Sequence, residues 1–394
     1  MAVAEADPSG DAPMDQTRRQ RRASRMSHRR RRRLIRTIVT ATAVVLAVIA
    51  GVTVVPPLLA RTGAPADTAP AAATPSPTPL SAADQLLSTT DDPGACAVSF
   101  TGEGITVPPA LQAQGELFSQ LPIPHRDGWV FAGWYPDAAD AAALSTTARV
   151  NGADPVACTD RRMTLVGGWI APEQVAADDV AVPILMYHQF TTDPAGEGGW
   201  LSANYLYTGD FAAQMAYLSD QRFYLPTWDE LAAFIDGRLW LPHRSVIVTD
   251  DDADASWLQL AVPIVDQHGI LTTSFVITKW RSEPTPSRFV LQRSHTHDMH
   301  ESGADGRGRM VNATADEVAA DLETSAGILG AKEVVAYPFG HYNDIAKAGV
   351  AQAGFELART TEQGYVRQGA DKLALPCIRI NAGTAMSEFI AAVG

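Results

Sequence analysis

The stretch SVIVTDDDADASWLQLAVPIVDQHG, residues 245–269, decides the fold. A short β-branched run, Ser245 to Val248, leads directly into Thr249-Asp250-Asp251-Asp252, and an apolar-periodic helical pattern follows from Trp257. The same alternation recurs on both sides. VPILMYHQ (182–189) and DFAAQMAYLSDQ (210–221) precede it; TTSFVIT (272–278), ADEVAADLETSAGILG (315–330), KEVVAYPFG (332–340) and DIAKAGVAQAG (344–354) come after it. Strands alternating with amphipathic helices predict an α/β domain of parallel strands joined by crossover helices, as a barrel or an open doubly wound sheet.

In either architecture reacting side chains gather at the carboxyl ends of the strands. Three polar groups fall at such ends. The first is the acidic run Asp250–Asp252 with Asp254, a candidate cation or proton-transfer site, or simply a solvated turn. The second is SHTHDMH (294–300), which puts three of the chain's nine histidines within six positions; imidazoles and a carboxylate can converge on one cation, or form a polar loop. The third is Tyr337-Pro338-Phe339-Gly340, which can aim a backbone N–H into a pocket or serve only as a tight turn.

The amino-terminal region is of another kind. Residues 1–36 form a basic tail with eleven arginines, and residues 37–59 carry no charge. An uncharged stretch close to the ~20 residues that cross a bilayer, behind an arginine cluster, predicts a single-pass anchor with a cytoplasmic N-terminus and an extracytoplasmic body. A cleaved signal peptide is the competing reading. Residues 60–84, rich in Pro, Ala and Thr, read as an extended linker. Residues 85–174 form a small β-rich domain and 175–394 the large one.

The tail holds eleven of the 31 Lys and Arg and four of the 44 Asp and Glu, which leaves 40 acids against 20 bases beyond it. Such a balance argues against nucleic acid as a partner. Of the three cysteines, Cys96 and Cys158 share the small domain and are expected as a disulfide, with two free thiols the alternative; Cys377 is left as a buried thiol.

Two family resemblances follow. GWVFAGWY (128–135) with TLVGGW (164–169) resembles the pattern of bacterial B-repeat domains, β-grasp modules of surface proteins. That resemblance places the first and last strands side by side, which would bring Cys96 and Cys158 within reach. It implies a spacer or adhesive role, with Trp129, Phe131, Trp134 and Trp169 as either a sugar-stacking face or core.

From about Val182 onward, VPILMYHQF, VTDDDADASW, SHTHDMH and AYPFG, in that order, resemble the motifs of the polysaccharide deacetylase (NodB-homology) family. The histidine spacing of five, and the YPFG turn without an arginine two residues before its proline, point to the poly-β-1,6-N-acetylglucosamine de-N-acetylase branch. The resemblance implies a distorted (β/α) barrel and a divalent metal, zinc first, held by Asp252, His295 and His300. Asp251 would be the general base, although a register one residue earlier, on Asp250 and Asp251, also matches the pattern. The N–H of Phe339 would meet the oxyanion, His188 or else His341 would supply the acid, and Tyr187, His297, Tyr337 and Pro338 would line the substrate groove.

The implied activity is removal of N-acetyl groups from a cell-surface or biofilm polysaccharide. Asp250, Ala253 and Asp254 depart from the family's Phe, Gly and Tyr; Cys377 stands where an arginine is common, with Arg379 nearby; and a late Leu-x-His motif is missing. These departures support a second reading, a catalytically impaired protein acting as a glycan-binding or surface-scaffold module.

Overall fold

The computed structural model describes residues 79–394, so the expected basic tail, the membrane span and residues 60–78 of the linker lie outside the described residues. Among the described residues no helix is long and apolar enough to cross a membrane. The last residues of the expected linker are helical, since Ala82–Leu87 forms a short helix capped by Ser81 and seated on the first strand.

The small domain is a four-stranded sheet of β1 (Ala95–Thr101), β2 (Ala110–Ala113), β3 (Val130–Tyr135) and β4 (Arg162–Ile170). Its order is β2-β1-β4-β3, with β1 and β4 parallel at the centre and the edge strands antiparallel to them. The first and last strands are therefore neighbours, and Cys96 and Cys158 are joined with their Cα atoms 6.1 Å apart, inside the usual disulfide range.

The four aromatics of this sheet divide. Phe131 and Trp134 are core, whereas Trp129 is 42% exposed and shares the Arg126 guanidinium with Trp169, at 4.7 and 5.8 Å from the two ring centres. The sheet is not a separate bead. Phe131 N–H donates to Arg238 O at 3.1 Å and Phe131 O accepts from Trp240 N–H at 2.8 Å, and one apolar cluster runs from Val98, Phe131 and Trp134 to Val182, Trp228 and Leu231 of the large domain. Arg149 seals the seam: buried, it lies 4.2 Å over the Tyr224 ring and donates to Trp240 O at 2.7 Å.

The large domain begins with β5 (Ile184–Tyr187), followed by a two-stranded side ribbon of β6 (Gln189–Thr191) and β7 (Tyr205–Tyr207). Then come β8 (Ile247–Asp251), β9 (Thr272–Val276), β10 (Val290–Ser294), β11 (Val334–Ala336), β12 (Leu357–Gln363) and β13 (Leu375–Arg379). Apart from the ribbon, these seven strands follow one another in chain order around a closed parallel barrel, with β13 returning to β5. Of the two architectures open to the sequence, the barrel is the one formed.

Strand alternation sorts the barrel residues. Ile184, Met186, Ile247, Phe275 and Cys377 join one buried cluster, while Leu185, Tyr187, Val248, Val276 and Ile378 join another. The helices that cover the second set have matching faces: Thr208–Asp220 buries Phe211, Gln214, Met215 and Leu218, at helical spacing. The helix after β8 includes a widened π turn, Trp257–Ala261, followed by the regular segment Val262–His268, where the missing N–H of Pro263 suits the first turn.

Candidate functional site

The carboxyl ends of the barrel strands bring the candidate residues together. Asp251 ends β8 and Asp252 follows it, His295 follows β10, His188 follows β5, and Arg359 projects from β12. The chain turns sharply after β8, β10 and β11: Asp252, Ala253, Thr296 and Phe339 all have positive φ, at 73°, 49°, 72° and 59°. For Ala253, where the related motif has glycine, this conformation costs about 1–2 kcal/mol.

Asp252, His295 and His300 form a group whose ligand atoms all lie within 4.8 Å of one another. Asp252 Oδ1 is 3.5 Å from His295 Nε2 and 3.2 Å from His300 Nε2. His295 Nδ1 donates to Ala336 O at 2.9 Å, which fixes its tautomer and leaves Nε2 with its lone pair toward Asp252. His300 is flanked by Phe339, 4.4 Å between ring centres, and by Trp280 at 6.1 Å.

The electrostatics of this group ask for a cation. Asp252 Oδ1 is buried and has no hydrogen-bond partner. Burial, then the charges of Asp251 and Asp254, push the Asp252 carboxyl up to about 7, and burial pushes the His295 imidazole down to about 3. A neutral imidazole pair facing an uncompensated carboxylate oxygen is the donor set a divalent ion takes, with coordination positions left for water or substrate.

Beside it, Asp251 is paired with the Arg359 guanidinium, both side chains being almost wholly buried. Burial alone would raise the Asp251 carboxyl, but Arg359, His295 and His188 outweigh it and hold it down to about 2. His188 Nε2 lies 3.9 Å from Asp251 Oδ2, and burial lowers its imidazole to about 4.

Strand alternation sends the two carboxylates of the alternative registers to different places. Asp251 shares the barrel mouth with Arg359, whereas Asp250 is fully buried beside Ser274 of β9, its carboxyl raised well above the ordinary value by burial and by Asp251. Asp254 is spent locally: its Oδ1 accepts from Ser256 N–H, Ser256 Oγ–H and Trp257 N–H at 2.7, 2.6 and 3.0 Å.

Several expected groove residues do not line the mouth. Tyr187 is 1% exposed, packs on Phe190 and Phe211 and donates its hydroxyl to Gln214 at 2.8 Å. Its odd position in β5 points it to the outer face. Tyr337 is likewise buried, stacked on Tyr342 with its hydroxyl on Leu373 O at 3.0 Å, and Pro338 is buried under the turn. His297 is half-buried, 3.0 Å from Thr278 Oγ1. His341 Nδ1 accepts from Gly308 N–H at 2.9 Å. In the YPFG turn Gly340 N–H donates to Tyr337 O and His341 N–H to Pro338 O, at 2.9 and 3.0 Å, while Phe339 is 46% exposed.

Arg359 escapes a motif reading because it lies inside β12 with no neighbouring signal. Its Nη1 reaches Met186 Sδ at 3.0 Å, and Cys377 Sγ lies 3.8 Å from the same sulfur, so the small thiol leaves room for the guanidinium. Arg379 instead binds Asn204 and Asn381 at 2.8 and 3.0 Å.

A parallel barrel whose mouth holds two imidazoles and a carboxylate beside a buried, ionised aspartate is thus a candidate metal centre with an adjacent proton acceptor. No family model matches the chain. It is 26% identical over 161 residues to the poly-β-1,6-N-acetyl-D-glucosamine N-deacetylase of Staphylococcus aureus strain MRSA252, covering 36% of this chain and 56% of that one. It is 24% identical over 234 residues to YxkH of Bacillus subtilis strain 168, whose name assigns it provisionally to the polysaccharide deacetylases, covering 56% and 77%. Among solved structures, the Streptococcus pyogenes deacetylase PplD in complex with acetate is 20% identical, with a TM-score of 0.47 over 55% of this chain and 99% of that one. By its sequence neighbours the chain is a relative of polysaccharide deacetylases, with poly-β-1,6-N-acetyl-D-glucosamine N-deacetylases among them. The match spans about half the length of the staphylococcal enzymes.

Proposed function

We propose that the chain is a metal-dependent polysaccharide de-N-acetylase that works outside the cytoplasmic membrane on an N-acetylated cell-surface or biofilm glycan. The observation that carries this reading is the buried, unpartnered Asp252 Oδ1 facing His295 Nε2 and His300 Nε2. The two-imidazole, one-carboxylate donor set suits zinc. When bound, the cation supplies Lewis acidity to the acetamide carbonyl and to water.

The protein's own residues carry the remaining chemistry. Asp251, held ionised by Arg359, accepts the proton of the attacking water at Oδ2, the oxygen on the His188 side. The N–H of Phe339, in the YPFG turn beside His300, donates to the developing oxyanion. His188, neutral at rest because burial lowers its imidazole to about 4, takes the water's proton from Asp251 Oδ2, 3.9 Å from its Nε2, and delivers it to the departing amine, so that acetate and a free amino sugar result. The exposed faces of Phe339 and Trp280 around His300 are suited to a sugar ring.

The motif departures lend little support to a non-catalytic glycan-binding protein. Asp254 is a helix cap, Asp250 lies behind the strand, and Arg359 supplies the charge that Cys377 does not. The uncharged run 37–59 behind eleven arginines supports anchorage with the barrel outside. The test is acetate release from a panel of N-acetylglucosamine oligomers, β-1,6-linked and β-1,4-linked. Release that Asp251→Asn reduces at least a thousandfold is expected; glycan binding without release from any oligomer would favour the scaffold.

A further inference from the structure

The loop that carries both histidines of the candidate centre is bent by Thr296, a β-branched residue at φ 72°, a conformation that does not hold itself. Something must keep the turn in place if His295 and His300 are to present their Nε2 atoms to one point. The helix Ala315–Leu329 packs along β10 and supplies that support from one face.

Asp321, in the middle of this helix, accepts two backbone hydrogen bonds from adjacent residues of the loop: His297 N–H on Oδ1 and Asp298 N–H on Oδ2, both at 2.7 Å. Ser325, one turn further on, is 2.8 Å from Ser294 Oγ, which in turn accepts Thr296 N–H at 3.1 Å. The opposite side is tied to the segment after β9, where Thr278 N–H and Lys279 N–H donate to Thr296 O and His297 O at 3.2 and 3.1 Å. Among these contacts only Asp321 brings a charge to the amides between the two histidines, and bidentate, charge-assisted bonds are the strong ones.

We infer that Asp321 is a positioning residue for the metal centre: its carboxylate clamps the His297 and Asp298 amides and so sets the separation of the His295 and His300 imidazoles. It touches neither the reacting atoms nor the cation, and nothing in the motif pattern marks it. The inference rests on the metal-centre reading above.

The experiment measures zinc affinity on the full chain by competition with a chromophoric chelator, together with amide hydrogen exchange of the metal-free chain, for wild type, Asp321→Ala and Asp321→Asn. Asp321→Ala is expected to weaken zinc by about 10–100-fold, the usual effect of losing a group that orients ligands. The His297 and Asp298 amides should exchange at least tenfold faster while amides of the barrel strands keep their protection. Asp321→Asn keeps one acceptor and should fall between the two; it also stands in if the alanine variant does not fold. Zinc affinity within twofold of wild type in a folded variant would overturn the inference, as would unchanged exchange at both amides. If wild type itself binds no zinc, the metal-centre reading fails first and the positioning role falls with it, while the exchange data still report whether the clamp exists.

Discussion

Arg359 and Asp251 form an ion pair sealed within the barrel mouth, with side chains 0% and 4% exposed. The guanidinium comes from β12 and the carboxylate from β8, strands separated by two others around the barrel, so the pair braces the mouth across its interior. Arg359→Met leaves the Asp251 carboxylate without its principal partner. Breaking a buried pair from one side costs about 3–5 kcal/mol. Chemical denaturation should show a loss of that order, and acetate release should fall with it even where the variant remains folded.

His188 offers a sharper separation of roles. It is 3.9 Å from Asp251 and outside the Asp252, His295 and His300 group. His188→Ala should leave metal content unchanged and lower the turnover number about 100-fold or more, within the range of general acid–base catalysis. Normal turnover with metal still bound would remove His188 from the mechanism.

The disulfide links residues 62 positions apart across the centre of the small sheet. Cys96→Ala with Cys158→Ala should destabilise the protein by about 2–4 kcal/mol, read from the denaturation midpoint. Thiol titration gives an independent check: unfolded, unreduced chain should expose Cys377 alone, and reduction should release the remaining two of the three cysteines.

Gly133 in β3 has φ 108°, and a Cβ there would collide with the Arg149 guanidinium at the seam between sheet and barrel. Gly133→Ala therefore strains the backbone and displaces a buried arginine at once. A loss of more than about 2 kcal/mol is expected, by the cost of overpacking together with a left-handed φ. A neutral effect would mean that the sheet and the barrel do not share this core.

The sequence carried much of this molecule in local signals. The alternation of strands and helices and the placement of Asp251, Asp252 and His295 at strand ends are local patterns, and the folded chain repeats them; the Cys96–Cys158 pair, though 62 residues apart, is legible because both cysteines fall in the small domain. What stayed hidden depends on side-chain direction and on distant partners. Tyr187 stands next to His188 in sequence, yet period-two alternation sends its ring to the outer face. Asp250 and Asp254 resemble Asp251 in composition alone; one is buried behind the strand and the other is consumed by three local donors. Arg359 and Asp321 lie 108 residues from Asp251 and 24 from His297, in unremarked positions of a strand and a helix, and only the closed barrel gives them their partners.

The central claim is that Asp252, His295 and His300 hold one divalent cation that the activity requires. The most direct measurement is a calorimetric zinc titration of the metal-free chain, run beside Asp252→Ala, with acetate release assayed at each point of the titration. One zinc per chain, activity that rises in step with occupancy, and loss of both in Asp252→Ala is the predicted result. Acetate release from the metal-free chain at the full rate, or tight zinc binding that Asp252→Ala leaves intact, would contradict it.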